Sequence, residues 1–182
     1  LCSLPAKVQN SWFAFDQFYS DRAFKSALPI VFKEKPSKLI DVGGNTGKWA
    51  LECLKYDKSV HVTIADLPGQ LRMAERNLGK EGALERVSYY TIDVLNPAEK
   101  FPDGYDAIWM SQFLDCFSHE EIVSILRRVA EGMGSADKLY ILESFRDRQQ
   151  NEAACFCLQQ VSLYFACMAN GNSQMFHSDD MK

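Results

Sequence analysis

A chain of 182 residues, 47% apolar and 24% charged, is long enough to bury a core without disulfide or metal staples. Its 20 Lys and Arg against 24 Asp and Glu leave a net charge of −4, which excludes the basic footprint of a nucleic-acid or anionic-membrane binder. With no charge block or low-complexity tract, disorder is excluded too, and a soluble globular α/β domain is expected.

The predicted elements alternate along the chain. Residues 1–35 form a helical approach rich in aromatics (Trp12, Phe13, Phe15, Phe18, Tyr19, Phe24), read as core packing or, alternatively, as a lid over an aromatic acceptor. A strand at 38–43 ends in a glycine loop and leads into a helix at 49–56. A β-branched strand at 60–65 precedes a helix at 70–79, and a third strand spans 87–92. A fourth strand covers 105–110, and the helix at 118–132 opens on a capping box, Ser118-x-x-Glu121. A fifth strand at 138–143 is followed by an apolar helix at 151–169, too short and too interrupted by Gln159, Gln160 and Ser162 for the ~20 residues of a membrane span. Apolar nearly all round, that helix is expected to be buried or covered by a dimer partner.

Strand and helix alternating at this spacing predict an α/β, Rossmann-like, mostly parallel sheet with helices on both faces, in one domain over 1–182 with its core at 36–145. The six cysteines (2, 53, 116, 155, 157, 167) include no C-x-x-C pair, and His61, His119 and His177 form no H-x-x-x-H. No metal site is expected, and the thiols suit a reducing cytoplasm. Residues 1–5 lack the basic and apolar regions of a signal peptide.

In such sheets ligands bind beyond the carboxyl ends of the strands, so the residues after each strand carry the information. The first strand runs into Asp41-Val42-Gly43-Gly44-Asn45-Thr46-Gly47-Lys48. Val42 and Trp49 break the phosphate-loop pattern, and the absence of G-x-G from this loop disfavours a dinucleotide fingerprint and an NAD-linked oxidoreductase. An acidic residue followed by spaced glycines fits. The second strand ends at Asp66-Leu67-Pro68-Gly69, where an acid is placed to accept from ribose hydroxyls or, on the bland reading, to cap a helix. The third ends at Asp93-Val94, a carboxylate beside an apolar contact, suited to an exocyclic adenine amine. Three consecutive strand ends of this kind point to an adenosine-type ligand without a pyrophosphate requirement.

D-V-G-G-N-T-G-K, A-D-L-P, I-D-V and Y-D-A-I-W-M-S-Q-F-L-D-C-F-S-H-E-E together resemble the class I S-adenosylmethionine-dependent methyltransferases. They are similar, more narrowly, to the small-molecule O-methyltransferases of the caffeate and hydroxyindole type, including bacterial relatives, over residues 15 to the C-terminus. The resemblance implies that Asp41, Gly43, Gly44 and Asn45 form the loop that cradles the methionine part of S-adenosylmethionine. It implies Asp66 with Leu67 at the ribose, Asp93 with Val94 at the adenine, and Ser111 with Gln112 at the sulfonium end. S-adenosylhomocysteine would be the product, and the acceptor a hydroxyl of a small, aromatic molecule.

Methyl transfer from a sulfonium is an in-line displacement, helped for a phenol by a base that removes its proton. The family's histidine base falls at Asp115 in Leu114-Asp115-Cys116-Phe117, and an exposed aspartate is a weak base for a phenol unless burial raises its pKa. Asp115 acting itself, His119 substituting, proximity alone, and a cofactor-binding domain that has lost transfer chemistry all stay open. Glu143 matches a family glutamate that braces the base, or is a solvated strand-end carboxylate. Met168, Met175 and Phe176 are candidates for an acceptor pocket. The resembled fold has seven strands and an N-terminal dimerisation domain, so a truncated sheet lacking its final hairpin is expected, from a protein that is a homodimer at full length.

Overall fold

Short β-branched runs bounded by glycine and polar turns make the strands, and amphipathic segments between them make the helices. The computed structural model describes residues 5–169 and 171–181. Strands β1 (Lys38–Val42), β2 (His61–Asp66), β3 (Val87–Thr91), β4 (Ala107–Ser111) and β5 (Lys138–Leu142) form one sheet in the order β3-β2-β1-β4-β5. β1 pairs parallel with β2, Asp41 in register with Ile64, and β2 parallel with β3, Asp66 in register with Thr91. This is the Rossmann-like α/β class predicted, with five strands among the described residues. The described chain divides into two compact units, one of residues 1–92 and 105–107, the other of 93–104 and 108–182.

In the first unit, α1 (Ala6–Val31), α2 (Lys48–Tyr56) and α3 (Pro68–Lys80) accompany the strands. α2 buries Trp49, Ala50, Cys53 and Leu54, and α3 buries Leu71, Ala74 and Leu78, each at helical spacing on one stripe. Leu39, Ile40, Val42, Val62, Ile64 and Ala65 are buried, the near-continuous apolar pattern of a parallel sheet covered on both faces. Phe24 is buried with its ring edge-on to Trp49, 5.1 Å between centroids, which agrees with the core-packing reading at that position. The side chains of Trp12, Phe13, Phe15, Phe18 and Tyr19 lie outside the described residues. Arg86 donates to the carbonyls of Leu54, Asp57 and Val60 and so caps the end of α2.

In the second unit, Trp109, Met110 and Leu114 are buried, as are Ile122, Ile125 and Val129 on one stripe of α4 (His119–Glu131). The predicted capping box is present: Ser118 Oγ accepts from the Glu121 amide at 3.3 Å, and Glu121 Oε2 accepts from the Ser118 amide at 2.8 Å. Helix α5 (Glu152–Tyr164) starts at an Asn151 cap and continues as a π-helical turn, Phe165–Ala169, close to the bounds expected. Of the two covers expected for it, burial within the chain is not found. None of the α5 residues is buried, and Phe156, Leu163 and Tyr164 are half or more exposed. An apolar circumference needs cover on every side, and the described residues do not supply it. No helix among the described residues is long and apolar enough to cross a membrane.

Candidate functional site

The first unit builds a rigid loop at the end of β1. Gly43 and Gly47 take positive φ (73° and 77°), and Asn45 joins them at 47°, a left-handed conformation that asparagine tolerates. A Cβ on Gly44 would stand 2.6 Å from Asp41 Oδ2 and 2.8 Å from Ile64 Cγ2, so only glycine fits there. The Gly43 amide donates to Ala65 (2.8 Å) and the Gly47 amide to Gly44 (2.8 Å), closing the turn that opens α2. Asp41 lies beneath this loop, 2% exposed, and its Oδ2 has no hydrogen-bond partner among the described residues. Burial, and then the neighbouring charge of Asp66, push the Asp41 carboxyl well above the usual range.

Asp66 locks the loop from the neighbouring strand. Its Oδ2 accepts from the Asn45 amide at 2.9 Å and its Oδ1 from the Leu67 amide at 2.7 Å. Burial raises its pKa while these two amides oppose the rise. The helix-cap alternative for Asp66 does not hold, because Leu67 is the N-cap of α3 and no side chain caps it. Gln70, which sequence reasoning missed, reaches Asn45 Oδ1 with its amide at 3.4 Å, and Asn77 ties the Thr46 carbonyl at 3.1 Å.

The second unit carries the other strand ends. Asp93 and Val94 follow β3 on a loop closed by Glu99, whose Oε2 accepts from the Asp93 amide at 2.8 Å. Ser111 ends β4 with a buried Oγ that has no hydrogen-bond partner among the described residues. Gln112 follows at φ 50°, a left-handed conformation for a residue with a Cβ, held by its amide on Leu142 at 2.8 Å.

Glu143, immediately after β5, sits under the turn at Leu114–Cys116. Its Oε1 accepts from the amides of Phe113 (2.9 Å) and Leu114 (2.8 Å), while Oε2 is buried without a hydrogen-bond partner. Burial first, and the charge of Asp115 second, raise Glu143 from its ordinary 4.5 to about 8. Asp115 is half-buried on that turn; its carbonyl accepts from the Gln174 amide at 2.9 Å and its Oδ1 from the Cys116 thiol at 3.5 Å. His119 is exposed at the first turn of α4, its ring edge-on to Phe176. Met175 and Phe176 are buried, and the Met168 side chain lies outside the described residues. The described residues hold no cluster of ligands that could bind a metal ion.

Each unit orders carboxylates just beyond its own strand ends, the places where α/β enzymes bind their ligands. The O-methyltransferase domain family matches residues 22–178, and this chain belongs to that family. Bacteriochlorophyllide d C-20 methyltransferase of Chlorobaculum tepidum is 25% identical over 141 residues, 75% of this chain and 40% of its own length. Desmethylxanthohumol 6'-O-methyltransferase of Humulus lupulus is 31% identical over 116 residues, 63% of this chain and 30% of its own length. The S-adenosylmethionine-dependent methyltransferase SibL, solved in its apo form, shares the fold with a TM-score of 0.80 at 21% identity, over 100% of this chain and 52% of that one. The chain thus spans about half or less of the length of these proteins.

Proposed function

We propose that this chain provides S-adenosylmethionine-dependent methyl transfer to a hydroxyl of a small aromatic molecule, with S-adenosylhomocysteine as product. The observation that carries this reading is the Asp66 carboxylate, locked by two backbone amides beside a glycine turn that admits no Cβ at Gly44. These residues fit the cofactor, since a preorganised acceptor suits a ribose diol and a bare backbone turn suits close approach. Asp41, Gly43, Gly44 and Asn45 hold the methionine part, and Asp66 with Leu67 the ribose. Asp93 with Val94 hold the adenine, and Ser111 with Gln112 the sulfonium end. When bound, S-adenosylmethionine supplies an electrophilic methyl group.

Asp115 takes the acceptor's proton. An isolated aspartate is too weak for this task, but Glu143 beside it changes the arithmetic. Pushed up to about 8 by burial and then by the charge of Asp115, Glu143 stays protonated at neutral pH and leaves Asp115 as the ionised member of the pair, the form that accepts a proton. His119, exposed and packed on Phe176, serves less well as a substitute.

A second reading, transfer to a ring carbon made nucleophilic by the same deprotonation, is favoured by the relative that methylates C-20 of bacteriochlorophyllide d. For the whole protein we read a cytoplasmic homodimer, supported by the free thiols and by the uncovered apolar side chains of α5. The test is transfer of labelled methyl from S-adenosylmethionine to a panel of hydroxylated aromatics, with the product resolved by NMR. An O-methyl product supports the leading reading and a C-methyl product the second. Cofactor binding without any transfer overturns both in favour of a non-catalytic binding domain.

A further inference from the structure

The loop after β3 is held by a single side chain from α4. Arg128 donates through Nη1 to the carbonyls of Glu99 (3.0 Å) and Asn96 (3.3 Å), and through Nη2 to that of Val94. Its Nε donates to Ser124 within the helix at 3.3 Å, and its guanidinium stacks over Phe101, 5.4 Å from the ring centroid. The helix that presents it is fixed in turn by the buried Ile122, Ile125 and Val129.

Inside the loop, the Leu95 amide donates to Asp93 Oδ1 (3.0 Å) and the Asn96 amide to the Asp93 carbonyl (3.0 Å). Glu99 receives both the Asp93 amide (2.8 Å) and the Asn96 side chain (3.2 Å). Exposed loops ordinarily leave carbonyls to water. Here three of them converge on one planar, permanently charged fork, an arrangement that a lysine could not reproduce. The turn that carries Asp93 is therefore rigid with respect to α4.

We propose that Arg128 is a positioning residue for purine recognition: by clamping residues 94–99 it holds the Asp93 carboxylate where it accepts from a 6-amino purine and repels a 6-oxo purine. This rests on the reading that Asp93 and Val94 meet the adenine. A carboxylate paired with an amine gains a charge-assisted hydrogen bond, whereas a carbonyl oxygen in the same place sets acceptor against acceptor. Discrimination of this kind requires that the carboxylate cannot retreat, and Arg128 prevents the retreat.

The experiment compares binding of S-adenosylhomocysteine and S-inosylhomocysteine to the full chain, as wild type, Arg128→Lys and Arg128→Ala, with thermal melting of each. Wild type should prefer the adenosyl compound by roughly 10–100-fold, the worth of one charged hydrogen bond made against an unpaired one. In Arg128→Ala that preference should fall to within about 3-fold, and Arg128→Lys should lie between. Variants that melt lower yet keep the full wild-type preference would overturn the proposal, leaving Arg128 a purely stabilising role. Should Arg128→Ala not fold, Arg128→Lys decides by the same ratio. Wild type that binds neither compound removes the cofactor reading itself, and wild type that binds both equally removes Asp93 from the adenine; the clamp falls with either.

Discussion

Asp66 and Glu143 close their strands in similar ways: each carboxyl accepts backbone amides, and burial pushes each above the usual carboxylate range. They differ in how the amides are shared. Asp66 receives one on each oxygen, so both ends of the carboxylate are anchored and the group works as a fixed acceptor. Glu143 receives those of Phe113 and Leu114 on Oε1, and its Oε2 is buried without a hydrogen-bond partner among the described residues. Burial first, and the like charge of Asp115 second, push that carboxyl up to about 8. On the proposed function, backbone amides thus prepare one carboxyl to bind and the other to hold a proton.

The sharpest way to break this contrast is to remove each acid in turn. Asp115→Asn should lower turnover by roughly 10²–10⁴-fold, the usual worth of a general base, and Glu143→Gln by less, while S-adenosylhomocysteine affinity stays within about 3-fold in both. An Asp115 variant with full turnover would take that residue out of the chemistry. Asp66→Asn should do the reverse, weakening cofactor binding by roughly 10–100-fold, since an amide cannot accept from Asn45 and Leu67 and still receive a diol. Equal effects of both changes on binding would erase the distinction.

Gly44→Ala tests the loop that Asp66 locks. With Asp41 and Ile64 under 3 Å from the new methyl, chemical denaturation should show a loss of roughly 1–3 kcal/mol. The smallest effect is the pH dependence of stability. Because Glu143 is raised from 4.5 to about 8 in the folded chain, it favours the folded state fully below 4.5, and that contribution is lost as pH rises through 8. Thermal melting should therefore fall between about pH 4.5 and 8, and more shallowly in Glu143→Gln. An identical slope in the variant would place the ionisation elsewhere.

Much of this architecture is legible in the chain because its signals are local. Asp41, Asp66, Asp93 and Glu143 each follow a short apolar run, and in an α/β sheet the residues after a strand are where a ligand is expected. The Ser118 capping box spans four residues and is recognisable by spacing alone. The supports of the site are a different matter. Gln70 meets Asn45 across 25 positions and Arg128 meets Val94 across 34, with no periodic pattern to announce either. Whether Asp66 caps a helix or locks a loop depends on where the Asn45 amide points, which spacing does not encode. The uncovered α5 has a related cause: an apolar circumference records that a helix needs cover, not which surface provides it.

The measurement that bears most directly on the account is calorimetric titration of the chain with S-adenosylhomocysteine, S-adenosylmethionine and NAD. One-site binding of the first two, weakened in Asp66→Asn and unchanged in Glu143→Gln, with no binding of NAD, is the result predicted. Binding of NAD alone, or of none of the three, would contradict it.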